Sequence, residues 1–220
     1  MTIERETQKL EGSALVVCPK SVQDNWRSEA ARFLPGICVE VWNRESVGKT
    51  GLDGATDLLV IHYAQLRSQE EKLRAVRWGA VILDEAQNIK NPTSQNARAA
   101  CALPAARRLA LTGTPIENRL LDLWSIFQFA MPGVLGHRAG FLKNFDRKDD
   151  LFARHRLAAR TRPFLLRRTK SEVASDLPER VEEDIIVEME GTQSKLYQAE
   201  IKRARAQLLK AQTDKQLDKL

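Results

Sequence analysis

The sequence predicts an α/β fold, a parallel sheet flanked by helices, followed by a helical extension. Three observations carry this. Short apolar runs without polar alternation recur between Ser13 and Thr112, as in strands buried on both faces. Helix-length segments separate them, which calls for right-handed crossovers. After Pro115 the patterns turn helical.

Taken in order, the expected strands are Ala14–Cys18, Ile37–Val41, Asp57–Ile61, Ala80–Leu83 and Arg108–Leu111. Ser21 and Asp24 form a candidate capping box, after which Val22, Trp26, Ala30 and Phe33 share one apolar face. Ala64–Val76 and Thr93–Ala102 are expected as crossover helices. Leu120, Leu121, Trp124, Phe127 and Met131 make an apolar helical stripe that Pro132-Gly133 ends. Two or three helices follow, and Val181–Met189 reads as a further strand. From Thr192 the spacing of Tyr197, Ile201, Ala204, Leu208 and Ala211 predicts a helix whose apolar seam needs a partner surface. The expected domains are residues 1–132, the α/β lobe; 133–180, a basic helical protrusion; and 181–220, a strand and linking helix.

Composition narrows the function classes. The 220 residues suffice for one well-filled domain plus an appendage, and no apolar run approaches a membrane span. A soluble protein without membrane partners is expected. The first dozen residues are polar, with no secretory signal. Three cysteines in no paired spacing point to a reducing, intracellular compartment, and the three scattered histidines offer no zinc pattern. The net charge of +6 is unevenly spread: residues 136–170 hold eleven Lys/Arg against three Asp, an excess of +8, leaving −2 elsewhere. Such a stretch suits a polyanion, although charge alone does not separate that from a solvated helical face.

The chemistry sits at two strand ends. Ala80-Val-Ile-Leu-Asp84-Glu85-Ala86-Gln87 delivers adjacent acids at the carboxyl end of a buried strand, where open α/β sheets build ligand sites. One carboxylate there can hold Mg²⁺ through water beside nucleotide phosphates, and the other can orient and deprotonate an attacking water. Taken alone, the pair also reads as acids capping the next helix. Arg107-Arg-Leu-Ala-Leu-Thr112-Gly113-Thr114-Pro115, one crossover later, is a second strand expected to be buried and to end at the same rim. Its threonines could hydrogen-bond the acid pair. A two-ion nuclease is disfavoured, because no further carboxylates stand nearby in the sequence.

With those residues in hand, the sequence resembles the Swi/Snf family of helicase superfamily two over nearly its whole length. Leu15-Val-Val-Cys-Pro19-Lys20 with Trp26 looks like motif Ia, and Val60-Ile-His-Tyr63-Ala-Gln-Leu66 like motif Ib. Ile82 to Asn91 is similar to motif II, and Leu111 to Asn118 with Leu123-Trp124-Ser125 to motif III. Pro163-Phe-Leu-Leu-Arg167-Arg168-Thr-Lys170, then Leu177-Pro178, resembles the family's arginine-rich block.

The resemblance implies a RecA-like first motor lobe of the P-loop NTPase type, with a helical protrusion, using ATP and Mg²⁺ on double-stranded DNA. Asp84 would coordinate Mg²⁺ through water and Glu85 would activate water. Gln87 stands where many relatives have His, which leaves its contact open. Thr112, Gly113 and Thr114 would couple hydrolysis to motion. Pro19, Lys20 and the backbone around Tyr63 would lie near one DNA strand. Arg154, Arg156, Arg160 and Arg162 would face DNA or a partner lobe, and Arg167 and Arg168 would brace the two lobes. Trp26 is read as core, because it shares the face of Val22 and Phe33.

Two parts of such a motor are absent from these 220 residues. The Gly-rich loop ending in Gly-Lys-Thr/Ser before motif Ia, the P-loop, has no counterpart. Gly48-Lys49-Thr50 is rejected: position 43 is Asn43 where the loop needs Gly, and a strand, not a helix, follows. A second RecA-like lobe is also missing, so the expectation is a fragment or truncated product with negligible ATPase activity of its own. The competing expectation is a degenerate lobe that grips DNA or a protein partner as a scaffold.

Overall fold

The computed structural model describes residues 12–42, 56–113, 120–145, 150–168, 172, 183–185 and 188–217. The chain divides into two units, Met1–Leu166 and Arg167–Leu220. The first is built on five strands: β1 (Ala14–Cys18), β2 (Val39–Val41), β3 (Leu58–His62), β4 (Trp78–Leu83) and β5 (Ala105–Ala110). Their order is β2-β3-β1-β4-β5, and every neighbouring pair is parallel, as the unalternating apolar runs require.

Strand parity builds two cores. Leu15 and Val17 of β1, Leu59 and Ile61 of β3, and Val81 and Leu83 of β4 face one side, which α2 (Tyr63–Ser68), α3 (Glu70–Ala75), α4 (Gln95–Ala102) and α5 (Leu120–Ala130) cover. Ala14, Val16, Cys18, Leu58, Val60, Ala80 and Ile82 face the other, which α1 (Gln23–Phe33) covers. Each fully buried aliphatic side chain contributes roughly 1.5–3 kcal/mol. The three central strands are therefore the rigid part of the lobe.

Helix α5 is apolar on more than the expected stripe because it serves two cores. Ile126 and Phe129 join the sheet core. Leu123, Trp124 and Phe127 join a third cluster with Phe141 and Phe145 of α6 (Arg138–Phe145) and Ala153 and Leu157 of α7 (Leu151–Thr161). Helices α6 and α7 of the basic stretch thus pack on α5. Asp150 caps α7, its carboxylate accepting from Ala153 N at 2.8 Å. In the second unit, α8 (Gly191–Leu217) leaves Tyr197 and Leu208 of its seam exposed.

Several expectations are corrected. β5 is an edge strand of the described sheet rather than a buried one, and Leu109 is 49% exposed. The Ser21/Asp24 capping box does not form. A 3-10 turn over Lys20–Val22 occupies that position, and α1 starts at Gln23 with no side-chain cap. Phe33, the last residue of α1, is 63% exposed under the Arg32 guanidinium, outside the cluster that Val22, Trp26 and Ala30 join. The crossover expected over Ala64–Val76 breaks at Gln69 into α2 and α3. Residues 183–185 and 188–190 carry no strand, and the rest of Val181–Met189 lies outside the described residues, as do Gly48-Lys49-Thr50 and Thr114.

Candidate functional site

The carboxyl ends of β1, β3, β4 and β5 lie along one rim. In register, Val17 sits opposite both Ile61 and Leu83, and Leu83 opposite Ala110. The ladder continues past the strands: Asp84 N donates to Val17 O at 2.8 Å, Leu111 N to Leu83 O at 2.7 Å, and Ala86 N to Leu111 O at 2.8 Å. The acid-bearing strand and the threonine-bearing strand therefore end side by side, held by main-chain bonds.

Parity then places the first acid. Asp84 continues the face of Ala80 and Ile82, which is the α1 face. There the Trp26 indole N–H donates to Asp84 Oδ2 at 2.9 Å, while Glu85 N donates to Oδ1 at 2.9 Å. Both carboxylate oxygens are anchored, and each keeps lone-pair capacity. Sequence reading took Trp26 for core alone. Its ring does pack on the α1-side cluster, but half-buried, with the polar tip spent on Asp84. The missed signal was strand parity, since the helix covering the Ala80/Ile82 face must also cover Asp84.

Glu85 adopts a left-handed backbone, φ 51° and ψ 54°, which costs a non-glycine residue roughly 1–2 kcal/mol. Compensation comes from its carbonyl, which accepts from Asn88 N at 3.0 Å and Asn88 Nδ2 at 2.9 Å. From the opposite sheet face, the buried Tyr63 hydroxyl donates to Asp84 O at 2.8 Å and Glu85 O at 3.5 Å. The 3-10 turn that follows, Ala86–Ile89, is pinned where the Ser125 hydroxyl of α5 donates to Ile89 O. The acid turn is thus gripped from both faces of the sheet.

Gln87 closes the link that its substitution for His left open. Thr112 Oγ1 donates to Gln87 Oε1 at 2.8 Å, and Gln87 Nε2 donates to Glu85 Oε2 at 2.7 Å. Sequence reading expected the threonines to reach the acids themselves; here the bond from Thr112 arrives through an amide, which can accept at one end and donate at the other. Gly113 is exposed, with open space around it.

The electrostatics follow from burial beside two carboxylates. Burial first, and then the charge of Asp84, push the Cys18 thiol up to about 12. The same order of causes raises the Tyr63 phenol. Both groups stay protonated and serve as donors: Tyr63 to the acid turn, and Cys18 Sγ to Ile61 O at 3.7 Å. His62 is lowered by burial, then by Lys20 and Arg67, and its side chain caps α2 by accepting from Gln65 N.

Among the described residues, no three His, Cys, Asp or Glu gather as a metal site. A lone, doubly anchored Asp84 fits a Mg²⁺ ion that keeps its waters and takes its remaining ligands from phosphates.

Pro19 is half-buried and Lys20 exposed, in the turn that leaves β1 at the same rim. Tyr63 is buried at the start of α2, with its hydroxyl bonded to the acid turn. Arg154, Arg156 and Arg160 are exposed on α7, with the Arg156 guanidinium over the rings of Phe145 and Phe152. Arg162 is exposed just beyond α7, and Arg167 and Arg168 are exposed in the second unit.

Comparison with known proteins meets this geometry. The model of the SNF2-related domain matches residues 2–219. The Sulfolobus solfataricus SWI2/SNF2 ATPase core in complex with dsDNA superposes with a TM-score of 0.73 at 39% identity, over 80% of this chain and 38% of that one. An uncharacterized ATP-dependent helicase of Mycoplasma pneumoniae is 41% identical over 189 residues, 85% of this chain and 18% of the relative. The TATA-binding protein-associated factor mot1 of Aspergillus fumigatus is 32% identical over 215 residues, 90% of this chain and 11% of the relative. The chain thus spans a fifth or less of the length of these two relatives.

Proposed function

The chain belongs to the SNF2-related family, and from that membership we propose that it is the first motor lobe of a DNA-stimulated ATPase that translocates on double-stranded DNA and remodels protein–DNA complexes. The observation that carries this reading is the relay from Thr112 through Gln87 to Glu85, beside an Asp84 anchored at both oxygens. It joins a strand end that can sense a γ-phosphate to the acid that activates water.

In this reading Asp84 holds the water shell of Mg²⁺, which when bound neutralises charge on the β- and γ-oxygens. Glu85 orients the attacking water and takes its proton at Oε1, since Gln87 holds Oε2. Thr112, Gly113 and Thr114 pass the state of the γ-phosphate to the rest of the lobe. Pro19, Lys20 and the backbone of Tyr63 lie along one DNA strand, and Arg154, Arg156 and Arg160 meet phosphates. Contacts of that kind are sequence-independent and sensitive to salt. Arg167 and Arg168 brace this lobe against a second RecA-like lobe. Remodelling draws support from the mot1 relative, DNA binding from the dsDNA-bound archaeal core, and an intracellular setting from the three free cysteines.

Hydrolysis needs a phosphate loop and a second lobe, so these 220 residues alone are expected to release negligible phosphate with saturating DNA and Mg-ATP. Robust turnover by the chain alone would refute that. Joined to the phosphate-loop segment and second lobe of the Sulfolobus core, the chain should hydrolyse ATP on DNA. Glu85→Gln should lower that rate by about 10²–10⁴-fold, the usual worth of a positioned base. A joined protein that binds DNA without hydrolysis would instead support the scaffold reading, which the solvent-facing arginines of α7 favour.

A further inference from the structure

Asp84 is the residue through which the proposed motor would meet its divalent ion, and a carboxylate at a strand end has free rotation unless something holds it. Two N–H groups do so here. One is the neighbouring amide of Glu85, which any residue could supply. The other comes from Trp26, 58 residues earlier in the sequence. Resting on the motor reading, we propose that Trp26 is a positioning residue for Asp84: its indole N–H fixes the carboxylate in the orientation that presents it to a phosphate-bound Mg²⁺.

Three features point to a role beyond packing. The ring sits on the α1-side cluster, so its apolar body is already paid for by burial, and the indole nitrogen alone reaches the acid. The bond is charge-assisted and half-buried, which makes it stronger than a neutral one in water. The backbone of the acid turn is held separately, by Tyr63 from the opposite face and by Asn88. Loss of the indole N–H therefore frees the carboxylate without releasing the turn. Trp26 also stands one turn into α1, whose entry carries Lys20, so movement of that entry would be felt at Asp84 through this bond.

The test has two arms. In the ¹⁵N-labelled chain, four tryptophan indole signals are available. Asp84→Asn should move one of them, the signal that Trp26→Phe removes, and leave the other three in place. If that signal holds still, the bond is absent and the inference falls. In the protein joined to the Sulfolobus phosphate-loop segment and second lobe, Trp26→Phe should raise the Mg²⁺ concentration for half-maximal hydrolysis by about 10-fold, the low end for groups that orient a metal-binding residue. The KM for ATP at saturating Mg²⁺ and the affinity for DNA should stay within about 2-fold. Replacing Trp26 by benzothienylalanine, which keeps the ring and loses the N–H, should behave as Phe does. Wild-type Mg²⁺ dependence in that variant would overturn the proposal even if Trp26→Phe folded poorly. If the joined protein is inactive with Trp26 intact, the motor reading fails, and the indole arm decides the positioning claim on its own.

Discussion

At the sheet rim, Asp84 and Glu85 are half-buried, and bonds from Trp26, Tyr63, Gln87 and Asn88 restrain their side chains or carbonyls. On α7, Arg154, Arg156 and Arg160 stand in solvent, and only Arg156 has a described partner, the rings it covers. Both regions rest on buried apolar clusters, so the contrast lies in how charge is presented. An acid that must meet one ion and one water needs a fixed position, and fixing it takes donors from rigid elements. Cations that meet a phosphate backbone need only share a face, because the attraction is long-ranged and tolerant of rotamer. The rim is therefore expected to be sensitive to single atoms, and the helical block to be tolerant.

Four variants, the last a double substitution, would break or sharpen this contrast. Trp78→Ala removes a fully buried ring from the strand that carries the acids, and its indole bond to Leu73 O with it. Urea denaturation should show a loss of about 3–5 kcal/mol; a loss below about 1 kcal/mol would mean that the rim does not depend on the sheet core. Tyr63→Phe leaves the ring in place and takes one donor from the acid turn, so about 1–2 kcal/mol should be lost. No measurable change would show that the left-handed Glu85 needs no help from that face.

On the helical side, Asp150→Ala removes the cap of α7, and thermal unfolding should report about 1 kcal/mol. An effect as large as that of Trp78→Ala would make the block as brittle as the rim. Last, Arg154→Ala with Arg160→Ala should change stability by no more than about 0.5 kcal/mol. The same pair should flatten the salt dependence of DNA binding by about one unit of slope per arginine. An unchanged slope would remove these two residues from the DNA face and leave the block as protein-facing surface.

Much of the sheet was legible because its central strands are apolar runs without polar alternation, and parallel packing leaves few alternatives for such runs. The acid pair and Thr112 were legible for the same reason: each terminates a strand whose end the parallel order sends to one rim. The edge position of β5 was not, since Leu109, Ala110 and Leu111 form an apolar run that suggested burial, while the adjacent Arg107 and Arg108 earlier in the strand suit an edge. The exposure of Phe33 escaped a face assignment made from helical spacing alone. Gln87 was legible as a departure from the family pattern, but its bonds were not.

From the sequence alone came the placing of the apolar strands, the adjacency of the two acids and the concentration of positive charge after Gly136, all properties of neighbours along the chain. The tertiary structure decided that Trp26 reaches Asp84, that Tyr63 holds the acid turn from the opposite face and that Thr112 meets Glu85 through Gln87. Those bonds join residues 58, 21 and 25 positions apart. Their partners are chosen by which helix crosses which face of the sheet, and that is settled by the packing of whole elements, not by local preference.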